Sequence, residues 1–191
     1  MAHEWFQEKV RQVLPKERYN HTLGVMQTAV ALAKRHGVDQ EKAELAALLH
    51  DYAKPLPKEE LVAVLKKHEP AENFSEYGGV LLHAPAGAYM VEEAFGIEDT
   101  EIFSAIYWHT TGRPQMSLFE KVIFLADYME PGRSFPGLEE VRKLAEVDVD
   151  EALLVTYTNT IQHLLAGKRM VHPMTVAAYN DAIGEKNKRG V

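Results

Sequence analysis

His50 and Asp51 stand side by side in 48-LLHDYAK-54, where an apolar, alanine-rich stretch, 43-AELAALLHDYAK-54, comes to an end. Neighbouring helical side chains are about 100° apart, so one helix end presents an imidazole and a carboxylate that can grip a single ion. Two further donors lie on segments that otherwise read as core. His21 follows Arg18 by three residues, on one face of 16-KERYNHTLGVMQTAVALAKRH-36. Asp127, in 117-SLFEKVIFLADYME-130, shares its face with Ile123 and Phe124. A buried carboxylate without a partner costs several kcal/mol, so Asp127 needs a cation or hydrogen-bond donors. Taken singly, each residue has an ordinary reading: a satisfied core histidine, a polar helix end, a salt-bridged aspartate. Taken together, His21, His50, Asp51 and Asp127 form a donor set for one divalent transition metal, with coordination positions left for water or substrate. The chain has no cysteine, so a metal here must use nitrogen and oxygen donors.

The elements that must position these residues read as helical nearly everywhere. Apolar periodicity and the Pro and Gly breaks predict helices at about 3–13, 16–36, 39–52, 57–68, 85–95, 99–109, 117–130, 138–146, 148–166 and 173–185. Asp39, Asp99 and Ser117 are expected N-caps, and Gly37, Gly96 and Gly167 expected C-caps. Alternating apolar segments are missing, so the expectation is an all-α bundle. In the second helix Tyr19, Leu23, Met26, Val30 and Ala33 form one apolar stripe and Val25, Ala29 and Leu32 a second. A helix apolar on two sides is central. In the third, Ala43, Ala46 and Ala47 share a face with His50, and their small side chains permit close helix approach.

The length, 191 residues, suits one domain with a core at about 16–185. Hydrophobic residues make up 46% and charged ones 26%, as in globular proteins that bury a core. No apolar run approaches the ~20 residues of a membrane span and the start is no signal peptide, so a cytoplasmic, membrane-free protein is expected. A net charge of −7 argues against a nucleic-acid binder, which carries a basic face, but not against a small anionic ligand held by a few local cations. Self-association as a homodimer stays open.

The order H…HD…D resembles the HD superfamily of metal-dependent phosphohydrolases, which are all-helical. The segments 50-HDYAKPLP-57, 105-AIYWHTTGRPQMSLFEKVIFLADYMEPGRSFPG-137 and 172-HPMTVAAYN-180 are similar to its YqeK family, along most of the chain from His21 to Asn180. The chain departs from that pattern at Tyr179, where an arginine is expected. The resemblance implies symmetrical hydrolysis of diadenosine tetraphosphate to two ADP, with iron as the reported metal; manganese, cobalt and zinc fit the same donors. It implies that His21, His50, Asp51 and Asp127 hold the metal. His83 and His109 would bind a second metal, contact phosphate or assist proton transfer. Both are expected at segment ends, beside Pro85 and Gly112. Lys54, Arg133 and, more weakly, Arg18 would clamp phosphates, Asp51 would orient the attacking water, and Thr110 would join the nucleotide contacts. The loop of Met170, Val171, His172, Pro173, Met174 and Thr175 would line the nucleotide pocket, with His172 also capping the last helix. His3, His36, His68 and His163 have no constellation and are expected at the surface.

Competing readings keep the scaffold and change the chemistry. Another HD substrate, such as a deoxynucleoside triphosphate, a nucleoside monophosphate or a guanosine alarmone, needs the same metal. The cyclic-dinucleotide branch is disfavoured because 109-HTTGRP-114 lacks its paired histidines and its GYP triplet. A di-iron oxygenase would need dioxygen, and a non-enzymatic sensor would bind nucleotide without turnover.

Overall fold

The computed structural model describes residues 2–69 and 79–190, with side chains from Glu4 onward; His3 falls outside the described side chains. Among the described residues ten helices follow one another: α1 Ala2–Val13, α2 Lys16–His36, α3 Gln40–Leu49, α4 Lys58–His68, α5 Gly79–Phe95, α6 Thr100–Trp108, α7 Leu118–Met129, α8 Leu138–Ala145, α9 Val149–Ala166 and α10 Pro173–Arg189. No strand occurs among the described residues. None of these helices is long and apolar enough to cross a membrane.

Helix starts follow capping chemistry. Asp39 accepts from Lys42 N, Asp99 from Glu101 N and Ile102 N, and Ser117 forms a reciprocal capping box with Glu120. Gly37 and Gly96 have φ of 71° and 64°, the left-handed geometry that lets a helix stop. Gly167 ends α9 with φ −82°, so it stops that helix without the left-handed turn.

α2 packs against α3 and α7, α3 against α6, and α5 joins α4 to α6; α9 gathers α7, α8 and α10. The main core lies between α2, α3, α6, α7 and α8, where Val25, Ala29, Ala46, Leu49, Ile106, Ile123 and Val141 lose essentially all contact with water. The alanines of α3 allow the approach to α2 that brings His21 near His50. On α2 the two anticipated stripes are one wide face of Thr22, Val25, Met26, Ala29, Leu32 and Ala33, and Leu23 points outward, 39% exposed.

Two boundaries differ from expectation in ways that matter. α3 ends at Leu49, and residues 50–55 form turns, so His50 and Asp51 sit just past the helix. α5 begins at Gly79 with Pro85 inside it, which puts His83 in a helix and not at a segment end. A proline is favoured at a first helical turn, which explains the reading, but here the helix was already formed upstream of it. Two of the four histidines expected at the surface are partly buried. His36 Nε2 lies 2.7 Å from Ala145 O, and His68 stacks on Tyr89 at a ring distance of 4.0 Å; His163 is exposed.

Candidate metal centre

The six expected metal and histidine positions converge although they come from five separate parts of the chain. His21 projects from the second turn of α2, His50 and Asp51 from the end of α3, His83 from α5, His109 from the cap of α6, and Asp127 from the last turn of α7. His21 Nε2 is 3.0 Å from Asp127 Oδ1 and 3.7 Å from Asp51 Oδ2. His50 Nε2 is 3.3 Å from Asp51 Oδ2 and 3.9 Å from Asp127 Oδ1. Beyond Asp51, its other oxygen, Oδ1, is 3.0 Å from His83 Nε2 and 3.8 Å from His109 Nε2. One carboxylate therefore faces two donor groups, with Oδ2 toward His21, His50 and Asp127 and Oδ1 toward His83 and His109.

Backbone geometry sets the histidine tautomers. His50 Nδ1 lies 2.6 Å from Ala47 O, His83 Nδ1 2.8 Å from Val80 O, and His109 Nδ1 2.7 Å from Ile106 O. A carbonyl only accepts, so each Nδ1 donates, and in the neutral ring each Nε2 is left with a lone pair aimed at the cluster. Near the ends of α3 and α6 the carbonyls lack onward helical donors, which is why these histidines can use them. Among the described residues, the buried Nε2 atoms of His21 and His50 have no hydrogen-bond partner, because their close carboxylate contacts are misdirected for one. An orphaned buried acceptor is costly, and two of them converging with two carboxylates fit a divalent cation. The donor atoms of His21, His50 and Asp127 lie within 4.8 Å of one another, and so do those of His50, Asp51 and His109.

Electrostatics agree with a cation-seeking site. Burial works against the Asp51 carboxylate, yet the neighbouring imidazoles of His50, His83 and His109 hold it far below the usual carboxylate range. Burial likewise opposes ionised Asp127, and His21, Arg133 and His50 outweigh it. His50 is raised, since the two carboxylates overcome its burial. His109 is pushed down to about 3 by burial and by the neighbouring His83 and His50 rings, and burial also lowers His83.

The cluster opens at one end. His50, Asp51, His83 and His109 are buried, whereas the side chains of His21 and Asp127 retain 12% and 18% exposure. That end meets a cleft of about 640 Å³ lined by Pro15, Glu17, Arg18, His21, Glu130, Arg133, Ser134 and Phe135. Two of the expected phosphate clamps stand there, each now bound to a cluster carboxylate: Arg18 Nη1 to Asp51 Oδ2 at 3.0 Å and Arg133 Nη2 to Asp127 Oδ1 at 2.6 Å. Lys54 Nζ is 3.3 and 3.4 Å from the two ring nitrogens of His83. Burial lowers the Lys54 pKa, and although Asp51 pulls it back up, the charges of Arg18 and Arg133 push it further down. Thr110 Oγ1 is buried and unpartnered beside His109. The 170–175 loop leads into α10, where Met174 N donates to His172 Nδ1 at 3.1 Å, the expected cap. Thr175 is buried, Val171, His172 and Met174 are half-buried, and Met170 and Pro173 are exposed.

Glu130 escaped the sequence reading because it looks like a solvated charge in 129-MEPGR-133. It is 5% exposed, and its Oε1 lies 3.2 Å from His21 Nδ1. Arg113 escaped too. It binds Glu120 through Nε at 2.7 Å and Nη2 at 2.8 Å, and Glu120 also accepts from Ser104 Oγ and Ser117 N. That knot fixes the loop after His109. In the same loop Gly112 has φ 65°, and a Cβ there would fall 1.9 Å from Tyr157 Oη.

Comparison with known proteins places this geometry among relatives. The family model described as HD domain matches residues 18–132. The chain is 50% identical over 177 residues to a symmetrical bis(5'-nucleosyl)-tetraphosphatase of Halalkalibacterium halodurans, covering 93% of this chain and 95% of that protein. A Bacillus subtilis protein of the same name is 48% identical, over 90% of this chain and 92% of its own. A crystal structure described as a predicted HD superfamily hydrolase involved in NAD metabolism, from Clostridium acetobutylicum, superposes with a TM-score of 0.92 at 39% identity, covering 97% of this chain and 98% of that one.

Proposed function

Because the chain belongs to the HD domain family, we propose that the buried histidine–aspartate cluster makes it a metal-dependent hydrolase that splits diadenosine tetraphosphate symmetrically into two ADP. The observation that carries the reading is the pair of orphaned Nε2 atoms on His21 and His50, converging with Asp51 and Asp127 at the mouth of a cleft flanked by arginines. These four residues would hold the divalent ion. Iron is the first assignment, and manganese, cobalt or zinc suit the same nitrogen and oxygen donors. A bound divalent ion supplies a Lewis acid and brings the pKa of its water from ~15.7 toward ~7.

The protein's own groups do the rest. Asp51, facing both donor groups, orients the attacking water. His83 and His109, neutral and buried, serve as proton acceptors next to it. Arg133 and Lys54, with Arg18 beside them, neutralise charge on the phosphoryl oxygens. Arg18 and Arg133 now rest on Asp51 and Asp127, and an ion at the cluster would compete for those carboxylates and free both guanidiniums for phosphate. Thr110 and the Met170–Thr175 loop contact the nucleotide. A cytoplasmic location suits a nucleotide substrate.

Product analysis tests the reading. Chromatography should show ADP as the sole nucleotide product of diadenosine tetraphosphate. Equal ATP and AMP would overturn the placement of the central bridge against the ion. Cleavage of deoxynucleoside triphosphates alone would keep the metal centre and replace the substrate. Binding without turnover would make the protein a sensor. Elemental analysis of protein purified without chelators identifies the metal.

A further inference from the structure

Three of the four cluster histidines satisfy Nδ1 with a carbonyl three residues back in their own segment, but His21 does not. It stands in the second turn of α2, and its Nδ1 meets the Oε1 of Glu130, 109 residues further along the chain. Glu130 is a buried carboxylate whose ion-pair partner among the described residues is His21. Its other oxygen, Oε2, accepts from Gly132 N at 2.5 Å. A carboxylate only accepts, so His21 Nδ1 must donate, and in the neutral ring the Nε2 facing Asp127 and Asp51 is a bare lone pair.

The surroundings are shaped to keep the carboxylate there. A Cβ on Gly24 would lie 2.6 Å from Glu130 Oε2, and one on Gly132 would lie 2.9 Å from it, so a larger residue at either position would push the carboxylate off His21. Arg142 holds the segment from behind. Its Nε donates to Met129 O at 3.1 Å and its Nη2 to Glu130 O at 2.9 Å and Arg133 O at 3.2 Å.

We infer that Glu130 is a positioning residue that fixes the tautomer and ring orientation of His21 for metal binding, with Gly24, Gly132 and Arg142 as its mount. The inference rests on the proposed reading of His21 as a ligand. Glutamine cannot reproduce the role, because its amide would turn an N–H toward either His21 Nδ1 or Gly132 N, and both are donors.

The test uses zinc as the probe, with wild type, Glu130→Gln, Glu130→Ala and His50→Ala measured well below each variant's Tm. Competition with a chelating dye should show zinc affinity about 10-fold weaker in Glu130→Gln and up to about 100-fold weaker in Glu130→Ala, the range for loss of a ligand's supporting carboxylate. In zinc-loaded wild type, ¹⁵N-histidine spectra should show the Nδ1–H of His21, and that signal should shift or exchange away in both variants. A lowered Tm with zinc affinity and the Nδ1–H signal retained would overturn the inference and leave Glu130 a structural anchor. If Glu130→Ala does not fold, the same readouts on Glu130→Gln decide. If His50→Ala binds zinc as tightly as wild type, the metal reading itself falls, and the inference with it.

Discussion

The Nε2 atoms of His83 and His109 face each other at 3.0 Å, although both rings have already committed Nδ1–H to a backbone carbonyl. Both imidazoles are pushed toward the neutral form, so two lone pairs meet where a proton or a cation would join them. This pair lies at the closed end of the cluster against Asp51 Oδ1, whereas His21 and His50 face Oδ2.

That separation predicts a split phenotype. His109→Ala should keep the ion held by His21, His50, Asp51 and Asp127 while turnover falls by about 10²–10⁴-fold, the loss typical of a proton-transfer group. Metal analysis beside single-turnover kinetics checks it. A fall from two ions per chain to one would instead make His83 and His109 ligands of a second ion.

Loading the cluster should stabilise the fold. At an ion concentration 100 times the Kd, linkage gives about 2.7 kcal/mol. For a chain of this size that is a rise in Tm of roughly 5–11 °C. Asp127→Ala should abolish the rise and the activity yet remain folded, since Arg133, 34% exposed, can hydrate once its partner is gone. Calorimetry with and without chelator reads both effects. Wild-type activity and metal content in this variant would reduce Asp127 to an ion-pair partner of Arg133.

Arg133 in the cleft and Lys54 beside His83 should matter for substrate and not for metal. Arg133→Ala and Lys54→Ala should each lower kcat/KM by about 5–150-fold, equivalent to about 1–3 kcal/mol for a lost charge-assisted hydrogen bond. Metal content should stay at the wild-type level. Loss of metal from either variant would show that these side chains hold the carboxylates in place and do not clamp phosphate.

Away from the centre, Glu120 predicts an acid-sensitive contribution to stability. Burial works against its carboxylate, yet Arg113, Ser104 and Ser117 hold its pKa below the ordinary value. A group depressed in the folded state stabilises at pH above its unfolded pKa of ~4.3, and that contribution fades as pH falls through the folded value. Arg113→Ala leaves Glu120 buried without its cation and should cost about 2–4 kcal/mol at pH 7. In urea titrations the gap between this variant and wild type should narrow below about pH 4. A gap independent of pH would show that Arg113 acts through packing alone.

The residues proposed to hold the metal were legible in the sequence because each is a titratable group set among apolar residues, and such a group demands a partner. The caps were legible because Asp39, Asp99 and Ser117 satisfy local backbone donors within a few residues. What stayed hidden depends on tertiary neighbours. Glu130 reads as a loop charge until α2 arrives beside it, and Arg113 as a surface cation until Glu120 and Ser104 close round it. Pro85 looked like a helix start because position alone cannot tell a first turn from an interior kink. Leu23 fits an apolar stripe by spacing, but the wide face of α2 turns elsewhere.

The 109-residue separation between His21 and Glu130 also fixes when the centre can come into being. Closing so long a loop costs entropy that only the packed helices between its ends return. A growing chain that has emerged as far as Lys54 carries His21, His50 and Asp51 but neither Asp127 nor Glu130, so it offers an incomplete ligand set. On the proposed reading of these residues as ligands, the complete set forms only once α2, α3 and α7 have packed, so the ion would be a late arrival. Starvation for metal should leave a folded, empty reserve of the protein that gains activity on resupply without new synthesis.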